Sequence, residues 1–317
     1  MLPDAKDLFR VVAQEHNLLP GIIEKDYWLM HCLWGIQQQG YSFELKGGTS
    51  LSKGFNLIER FSEDIDIQIH PAKTDDVKIG KNHDKPNHIE SRKLFFDKVV
   101  SNLNVSGLTF TRDHNFDDLN KMRNAGIRAE YISNFDNIPG LKEGMLLELG
   151  FDQTAPNESR DITSWAFEKA KSLNISVINN RAKQILCYYP EYTFVEKLQT
   201  LSTKYRLQQE QKTLPINFLR HYYDVYKLLE SKRVLNFIGT DEYKAHKERR
   251  FRVADEKNIS KNPAFSIPDP KTRTAYSKAF KEKSSLYFGA QPSFDEILER
   301  MQKLIELDLA FTVNDLT

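Results

Sequence analysis

The chain has 317 residues, of which 40% are apolar and 28% charged, a balance typical of a globular protein with two separate cores. No apolar run approaches the about 18 residues that a membrane span needs, and the first residues carry acids rather than the pattern of a signal peptide. We therefore expect a cytoplasmic protein with no membrane partner. The two cysteines, Cys32 and Cys187, are too few for a disulfide framework or a zinc site and are interpreted as packing residues.

Apolar periodicity predicts two helices followed by a mixture of strands and helices. The helices lie within residues 4–39, and the second, over 22–38, has its apolar residues on one side. The predicted helix and strands that follow lie at about 88–103 and at about 43–46, 64–69, 107–111, 126–132 and 145–151. The polar, turn-rich segments 71–87 and 112–125 are predicted to be loops near the active face.

From Tyr192 onward nearly every apolar pattern is helical. The order of elements therefore predicts an α+β protein, in which a lobe with a mixed β-sheet flanked by helices is followed by a C-terminal helical bundle. We place the boundary near 180–190, which gives a first unit over 1–185 and a second over 186–317.

The segment 45–69 carries the strongest functional signal. On a strand, residues two apart point to the same side, so Asp64, Asp66 and Gln68 share one face while three isoleucines take the other. Two neighbouring carboxylates repel each other unless a cation compensates them. The pattern therefore predicts a divalent-cation site on a strand whose back is buried.

A glycine pair precedes this strand and predicts a phosphate-binding turn. Gly47 and Gly48 free the backbone of side chains where a phosphate approaches, and Thr49 and Ser50 stand where helix caps belong. Lys53 follows one turn later. The spacing differs from the Walker pattern, so we expect a nucleotide held by this turn and by metal ions on the two aspartates.

These residues resemble the nucleotidyltransferase superfamily, in which a Gly-Gly or Gly-Ser turn is followed by Asp-x-Asp. Within it the sequence is similar to the AbiEii/AbiGii abortive-infection toxins in GGTSL, in the run from Arg60 to Asp66, and upstream in the run from Ile23 to Trp28. The gap of fifteen residues between Gly48 and Asp64 is longer than in many nucleotidyltransferases. The resemblance implies a nucleotidyltransferase fold and leaves the nucleotide open.

A third carboxylate is expected in the first unit, because phosphoryl-type transfer commonly needs one more oxygen ligand. Glu148 is the charged residue in an otherwise apolar strand, and a buried carboxylate requires a partner such as a metal. The resemblance also implies an acidic residue in a central strand of this kind. Glu130 is the rival candidate, and Asp152 is a weaker third.

In the second unit the resemblance implies functional roles for Lys197, Arg220 and Asp224. Apolar stripes run along two helices there, and we expect Lys197 and Lys204 to lie together at the margin of the first. The alternatives are that Arg220 and Asp224 form a surface i,i+4 ion pair and that Lys197 is a snorkelling surface lysine.

The resemblance implies a toxin of a bacterial toxin–antitoxin or phage-defence system, with a cognate antitoxin. The expected activity is a nucleotidyltransferase reaction that uses Mg²⁺ (or Mn²⁺) and carries NMP from an NTP to a hydroxyl, with the tRNA 3′ end as acceptor. In it Asp64, Asp66 and Glu148 bind metal, and Lys197 and Asp224 complete the nucleotide site.

The alternatives are a nucleotide- or RNA-binding module without transfer, and an enzyme that modifies a protein or small-molecule hydroxyl. The net charge of +1 does not decide among them. A basic run over 244–252 suits an RNA backbone, although a solvated helix face explains it equally well.

Overall fold

The computed structural model describes residues 5–138, 140–152, 154–213 and 218–314. The chain divides into two compact units, one formed by residues 1–56 and 60–188 and the other by residues 57–59 and 189–317. We call the first the sheet unit and the second the helical unit.

The sheet unit is built on seven strands flanked by helices, as expected for the α+β class. Its helices are α1 (Ala5–His16), α2 (Pro20–Gln38), α3 (Gly47–Thr49), α4 (Pro86–Asn102) and α5 (Trp165–Ser172). Its strands are β1 (Ser42–Lys46), β2 (Asp64–His70), β3 (Thr109–Asp113), β4 (Asn124–Glu130), β5 (Met145–Gly150), β6 (Asn157–Ile162) and β7 (Ala182–Tyr188).

The strands form one mixed sheet in the order β3-β4-β5-β2-β1-β7-β6. The pairs β2–β5 and β1–β7 are parallel, and the other neighbours are antiparallel. Strand β2 is therefore interior, with β1 on one side and β5 on the other. This position buries Ile65, Ile67 and Ile69 completely or almost so, which confirms the predicted apolar back of the acidic strand.

Three elements of the sheet unit were not predicted: β6, α5 and β7. Strand β6 reads NESRDI and lies at the edge of the sheet, where Ser159, Arg160 and Asp161 are exposed. An edge strand without alternating apolar residues gives no periodic signal. The predicted strands β3 and β4 exist, but both are displaced along the sequence by about two residues.

Helix α2 is buried on all sides, so the prediction of a one-sided apolar helix was wrong. It packs against α1, α5, β2 and β7, and a helix enclosed in this way has no solvent face. Three consecutive charged residues, Glu24, Lys25 and Asp26, are at most 1% exposed. Buried charges of this kind require partners, and the structure supplies one set for each.

The partners of these three charges tie α2 to four separate segments. Glu24 accepts hydrogen bonds from the Ser133 hydroxyl (2.8 Å) and the Asn134 backbone N–H (3.0 Å). Lys25 donates to the Lys142 carbonyl. Asp26 accepts from the backbone N–H of Trp165 at 2.9 Å and lies 2.6 Å from the Lys53 ammonium.

The helical unit contains α6 (Pro190–Gln211), α7 (Arg220–Leu228), α8 (Lys232–Phe237), α9 (Asp241–Arg250), α10 (Pro270–Lys281) and α11 (Phe294–Asn314). The predicted apolar stripes on α6 and around α7 are buried, namely Phe194, Leu198, Leu201 and Tyr205, and Phe218, Tyr222, Val225 and Leu229. The short segment 57–59 belongs here because the Glu59 backbone bonds to the Tyr223 hydroxyl and to Phe288. Among the described helices, none is long and apolar enough to cross a membrane.

The buried Asp26–Lys53 pair generates a stability prediction. Asp26→Asn keeps the shape of the side chain but leaves the Lys53 ammonium without its counter-charge, so we expect a loss of about 3 kcal/mol in the free energy of unfolding. The measurement is urea unfolding followed by circular dichroism. Asp7→Asn is the matched control, because the Asp7–Arg10 pair is exposed and its loss should produce no measurable change. Equal effects of the two substitutions would contradict this account.

Candidate active site

The acidic residues of the candidate site come together through strand register. Asp66 on β2 pairs with Glu148 on β5, and Asp64 pairs with Leu146 in the same parallel ladder. Residues paired across neighbouring strands have side chains on the same face, so Asp64, Asp66 and Glu148 share one face of the sheet. Asp64 is buried, whereas Asp66 and Glu148 are partly exposed.

The register also separates Glu148 from its two rivals. On β4, Gly126 is the residue that pairs with Glu148. Glu130 lies four residues further along that strand, which is about 13 Å at the rise of a β-strand, and it is exposed. Asp152 lies beyond the end of β5, with its carboxylate 4.0 Å from the Lys46 ammonium. Glu148 is thus the candidate directly beside Asp66.

The glycine pair lies against the acidic strand. Gly47 has a φ of +69°, and a Cβ atom placed on it would lie 2.1 Å from Oδ2 of Asp66. A Cβ on Gly48 would lie 2.6 Å from the Ser62 hydroxyl and 3.1 Å from the guanidinium of Arg60. Both glycines are therefore required for the turn to approach the acidic strand and the segment leading into it.

Thr49 and Ser50 are not helix caps, so that prediction was wrong. Helix α3 begins at Gly47, and its N-cap residue is Lys46, which makes no side-chain cap bond. The Thr49 hydroxyl donates to the Asp64 carbonyl at 2.6 Å and fixes the turn to the start of β2. Ser50 is fully buried, where it lowers the pKa of the Cys187 thiol, although burial outweighs it and raises that pKa to about 12.

Lys53 is engaged by a partner that the sequence analysis did not foresee. Its ammonium lies 2.6 Å from Asp26 and 3.7 Å from the centre of the Trp165 ring. Burial lowers the pKa of Lys53 and raises that of Asp26, and the ion pair opposes both shifts. A phosphate contact by Lys53 therefore requires this pair to open.

Lys142 is a site residue that sequence reasoning missed. Its ammonium lies 3.3 Å and 3.5 Å from the two carboxylate oxygens of Asp64. Its backbone N–H donates to Glu63 at 3.0 Å, and its carbonyl accepts from Lys25 at 2.6 Å. Lys142 lies in an irregular segment before β5, and only tertiary contacts reveal its place beside the acids.

Lys25 connects this cluster to the buried helix α2. Its ammonium is 3.7 Å from Glu63, and both side chains are nearly inaccessible. Burial lowers the pKa of Lys25 to about 8, against the opposing attraction of Glu63 and Asp64. Lys25 thus carries a positive charge at neutral pH and adds to the compensation of the acidic strand.

The donor set suits a hard divalent cation, since carboxylate oxygens are the ligands that Mg²⁺ and Mn²⁺ prefer. Within residues 5–138, 140–152, 154–213 and 218–314, however, no three His, Cys, Asp or Glu side chains are arranged to hold one ion. Of the three acids, Asp64 has its carboxylate in contact with the Lys142 ammonium. The acids match such an ion in donor type and share one face of the sheet.

The helical unit contains a second polar cluster, formed by Lys197 and by Asp224 and His221 of α7. The Lys197 ammonium lies 3.2 Å from the Asp224 carboxylate and 3.3 Å from Nδ1 of His221. Asp224 is fully buried and Lys197 is 8% exposed, so neither the surface ion pair nor the snorkelling lysine is correct. Arg220 begins α7, one residue before His221.

One expectation about this cluster was wrong, and one of its residues was missed. Lys204 is exposed while Lys197 is buried, so the two do not lie together at the helix margin. His221 was missed, although its position three residues before Asp224 on a helix places both on one face. Burial and the nearby Lys197 lower the pKa of His221 to about 3, despite hydrogen bonding to Asp224.

The basic run lies on α9 and just beyond it, and part of it is already paired within the helical unit. Lys247 lies 3.3 Å from Asp308, and Arg250 lies 3.1 Å from Glu196. Arg249 and Arg252 are exposed. The run is therefore a smaller positive surface than its sequence implies.

Residues 28–300 match the family model described as nucleotidyl transferase AbiEii toxin, type IV TA system. The chain belongs to the AbiEii family. No curated protein and no solved structure matches it. The AbiEii match includes the glycine turn, both acidic strands and the Lys197–Asp224 cluster, but it begins at Trp28, so the buried charges at 24–26 lie outside it.

This result confirms the predicted family. AbiEii proteins are nucleotidyl transferase toxins of type IV toxin–antitoxin systems. The matched region contains the residues from which the resemblance was drawn, apart from most of the run at 23–28. This chain thus belongs to a family of nucleotidyl transferases and carries three carboxylates on one face of its sheet.

Gly47→Ala tests the close approach of the turn to Asp66. The substitution strains a positive φ, which costs about 1–2 kcal/mol of stability, and also displaces the Asp66 carboxylate. A misplacement of about 1 Å lowers catalysis about a hundredfold, so we expect a loss of nucleotidyl transfer of that order. Gly40→Ala is the matched control, because Gly40 also has a positive φ of +81° but nothing within 4 Å of the added Cβ.

Urea unfolding and transfer kinetics of the two variants separate strain from displacement. Similar losses of stability with a loss of transfer only in the Gly47 variant are expected. Equal transfer by both variants would show that Asp66 tolerates the added methyl group.

The depressed pKa of His221 predicts a pH-dependent stability. Below pH 6.5 the unfolded chain binds a proton at this residue that the folded chain does not, so folding stability falls as pH decreases toward about 3. Between pH 8 and pH 5 this residue costs the wild type about 2 kcal/mol. His221→Asn should therefore lose less stability than the wild type over that range, measured by urea unfolding at both pH values. Identical losses would contradict the assignment.

Proposed function

We propose that this AbiEii-family chain transfers a nucleoside monophosphate from an NTP to an acceptor hydroxyl. The acceptor oxygen attacks the α-phosphorus, the bond from that phosphorus to the β-phosphate oxygen breaks, and pyrophosphate leaves. Glu148 is the proposed acceptor of the hydroxyl proton. The observation that supports this most is the register that places Glu148 beside Asp66, with Asp64 on the same face.

We propose Asp64, Asp66 and Glu148 as the residues that hold Mg²⁺ or Mn²⁺. A bound divalent cation neutralises the triphosphate and stabilises the charge that develops on it. The close fit of Gly47 against Asp66 supports this proposal, since it keeps that carboxylate at the foot of the glycine turn. The chain itself then contributes position and charge, which are the main components of phosphoryl-type catalysis.

The glycine turn is proposed to bind the phosphates of the NTP through backbone N–H groups at the start of α3. The Thr49 side chain fixes the turn to the start of β2 and the Ser50 side chain is fully buried, so their contribution to phosphate binding is proposed to be through the backbone. Lys53 is proposed to bind phosphate only after its ammonium separates from the Asp26 carboxylate.

In the helical unit we propose Lys197 and Asp224 as further nucleotide-binding or catalytic residues, with Arg220 nearby in sequence. A buried lysine, histidine and carboxylate in mutual contact are more typical of functional sites than of helix packing alone. Lys197→Ala is expected to lower transfer.

We propose that the acceptor is RNA and, specifically, the 3′ end of tRNA. Exposed Arg249 and Arg252 support an RNA surface. As a member of a type IV toxin–antitoxin family, the chain is also proposed to act with a cognate antitoxin in abortive infection or phage defence. A protein or small-molecule hydroxyl is the second candidate acceptor, because the pairing of Lys247 and Arg250 reduces the free positive charge.

The test is transfer of label from each α-labelled NTP to total tRNA with Mg²⁺, resolved on a denaturing gel. We expect one NTP to label tRNA, and we expect Asp66→Asn and Glu148→Gln to lower the rate at least a hundredfold. Glu130→Gln is the matched control and should retain full activity, because Glu130 lies away from Asp66.

Two further outcomes separate the alternatives. Charge reversal in Arg249→Glu/Arg252→Glu should reduce tRNA labelling, whereas Lys278→Glu/Lys281→Glu, an equal change of charge on exposed residues of α10, should not. Labelling of protein but not RNA would establish the second candidate acceptor. Metal-dependent NTP binding with no labelled product would indicate a nucleotide-binding module without transfer activity.

A further inference from the structure

The ammonium of Lys142 occupies the position of a cation on Asp64. It lies within 3.5 Å of both carboxylate oxygens, in contact with an acid that is almost inaccessible to solvent. Lys142 itself is 31% exposed. The pair is therefore asymmetric, with a fixed buried acid and a lysine whose end can reach solvent.

The backbone of Lys142 is held independently of its side chain. Its N–H donates to Glu63, and its carbonyl accepts from the buried Lys25. The main chain of Lys142 is thus anchored through both its N–H and its carbonyl. The side chain has four rotatable bonds that allow its ammonium to move. A change confined to the side chain leaves the anchor in place.

A divalent ion and the Lys142 ammonium compete for the same carboxylate. An ion bound to Asp64 at close range and the Lys142 ammonium repel each other at such distances. The displaced ammonium is stabilised most by a new anionic partner. The triphosphate of a bound NTP is the anion that would arrive with the metal ion.

We infer that Lys142 is a substrate-contacting residue, which neutralises Asp64 in the nucleotide-free protein and moves to the triphosphate when a divalent ion binds. The inference rests on the proposed function, in which Asp64 and Asp66 hold that ion. Lys142 thus has two partners in succession, first Asp64 and then the triphosphate.

The inference predicts opposite effects of one substitution on two affinities. Lys142→Met keeps the length of the side chain and removes the charge, so the full chain should bind Mn²⁺ about tenfold more tightly without nucleotide. The same variant should bind inorganic triphosphate about tenfold more weakly at saturating Mn²⁺. Electron paramagnetic resonance of free Mn²⁺ measures the first affinity, and calorimetry measures the second.

A matched control and a positional control complete the design. Lys98→Met removes a lysine that is paired with Asp75 on the surface and should change neither affinity. Lys142→Arg keeps the charge, so its affinities for Mn²⁺ and for triphosphate should be of the same magnitude as those of the wild type. Thermal unfolding of each variant verifies that it is folded.

The outcomes distinguish this inference from the proposed function. Tighter Mn²⁺ binding together with weaker triphosphate binding supports the exchange of partners. Unchanged or weaker Mn²⁺ binding by the Lys142 variant overturns the inference, because Lys142 would then be a structural ion pair. Unchanged triphosphate binding removes the substrate contact. If the wild type binds Mn²⁺ no more tightly than the Asp66→Asn variant, the metal site is overturned, and the inference with it.

Discussion

The crowding of carboxylates on one face of the sheet is the constraint on which the rest of the sheet unit depends. Asp66 and Glu148 are neighbours in the ladder, and Asp64 is buried on the same face. Like charges this close raise the free energy of the fold unless cations compensate them. The structure supplies two such cations, the Lys142 ammonium on Asp64 and the buried Lys25 ammonium beside Glu63.

Helix α2 extends this compensation through the sheet unit. Its consecutive residues Glu24, Lys25 and Asp26 each bond to a different segment, although the helix itself is enclosed by other elements. A buried helix made only of apolar residues would pack as well but would not fix those segments in register with the acidic strand. Removing one charge leaves its partner buried and uncompensated, which is more destabilising than losing an exposed pair.

The helical unit applies the same rule to another cluster. The buried Lys197 and Asp224 contact His221, and desolvation together with the nearby ammonium lowers the pKa of His221 and favours the neutral imidazole. Both units thus contain a lysine set against a carboxylate in a nearly inaccessible setting.

The sequence by itself indicated the family through the resemblance of its motifs. It also determined the mixed sheet with flanking helices, the buried isoleucine back of β2 and the grouping of Asp64 with Asp66, because strand and helix periods are local properties. It did not determine β6 or the enclosure of α2, since an edge strand without alternating apolar residues and a fully buried helix carry no amphipathic signal. It did not determine β7 either, because the buried residues of that strand do not alternate regularly. Nor did it determine the choice of Glu148 over Glu130, the Asp26–Lys53 pair or the placement of Lys142 on Asp64. Those depend on strand register and on contacts between residues tens of positions apart, which only the tertiary structure fixes.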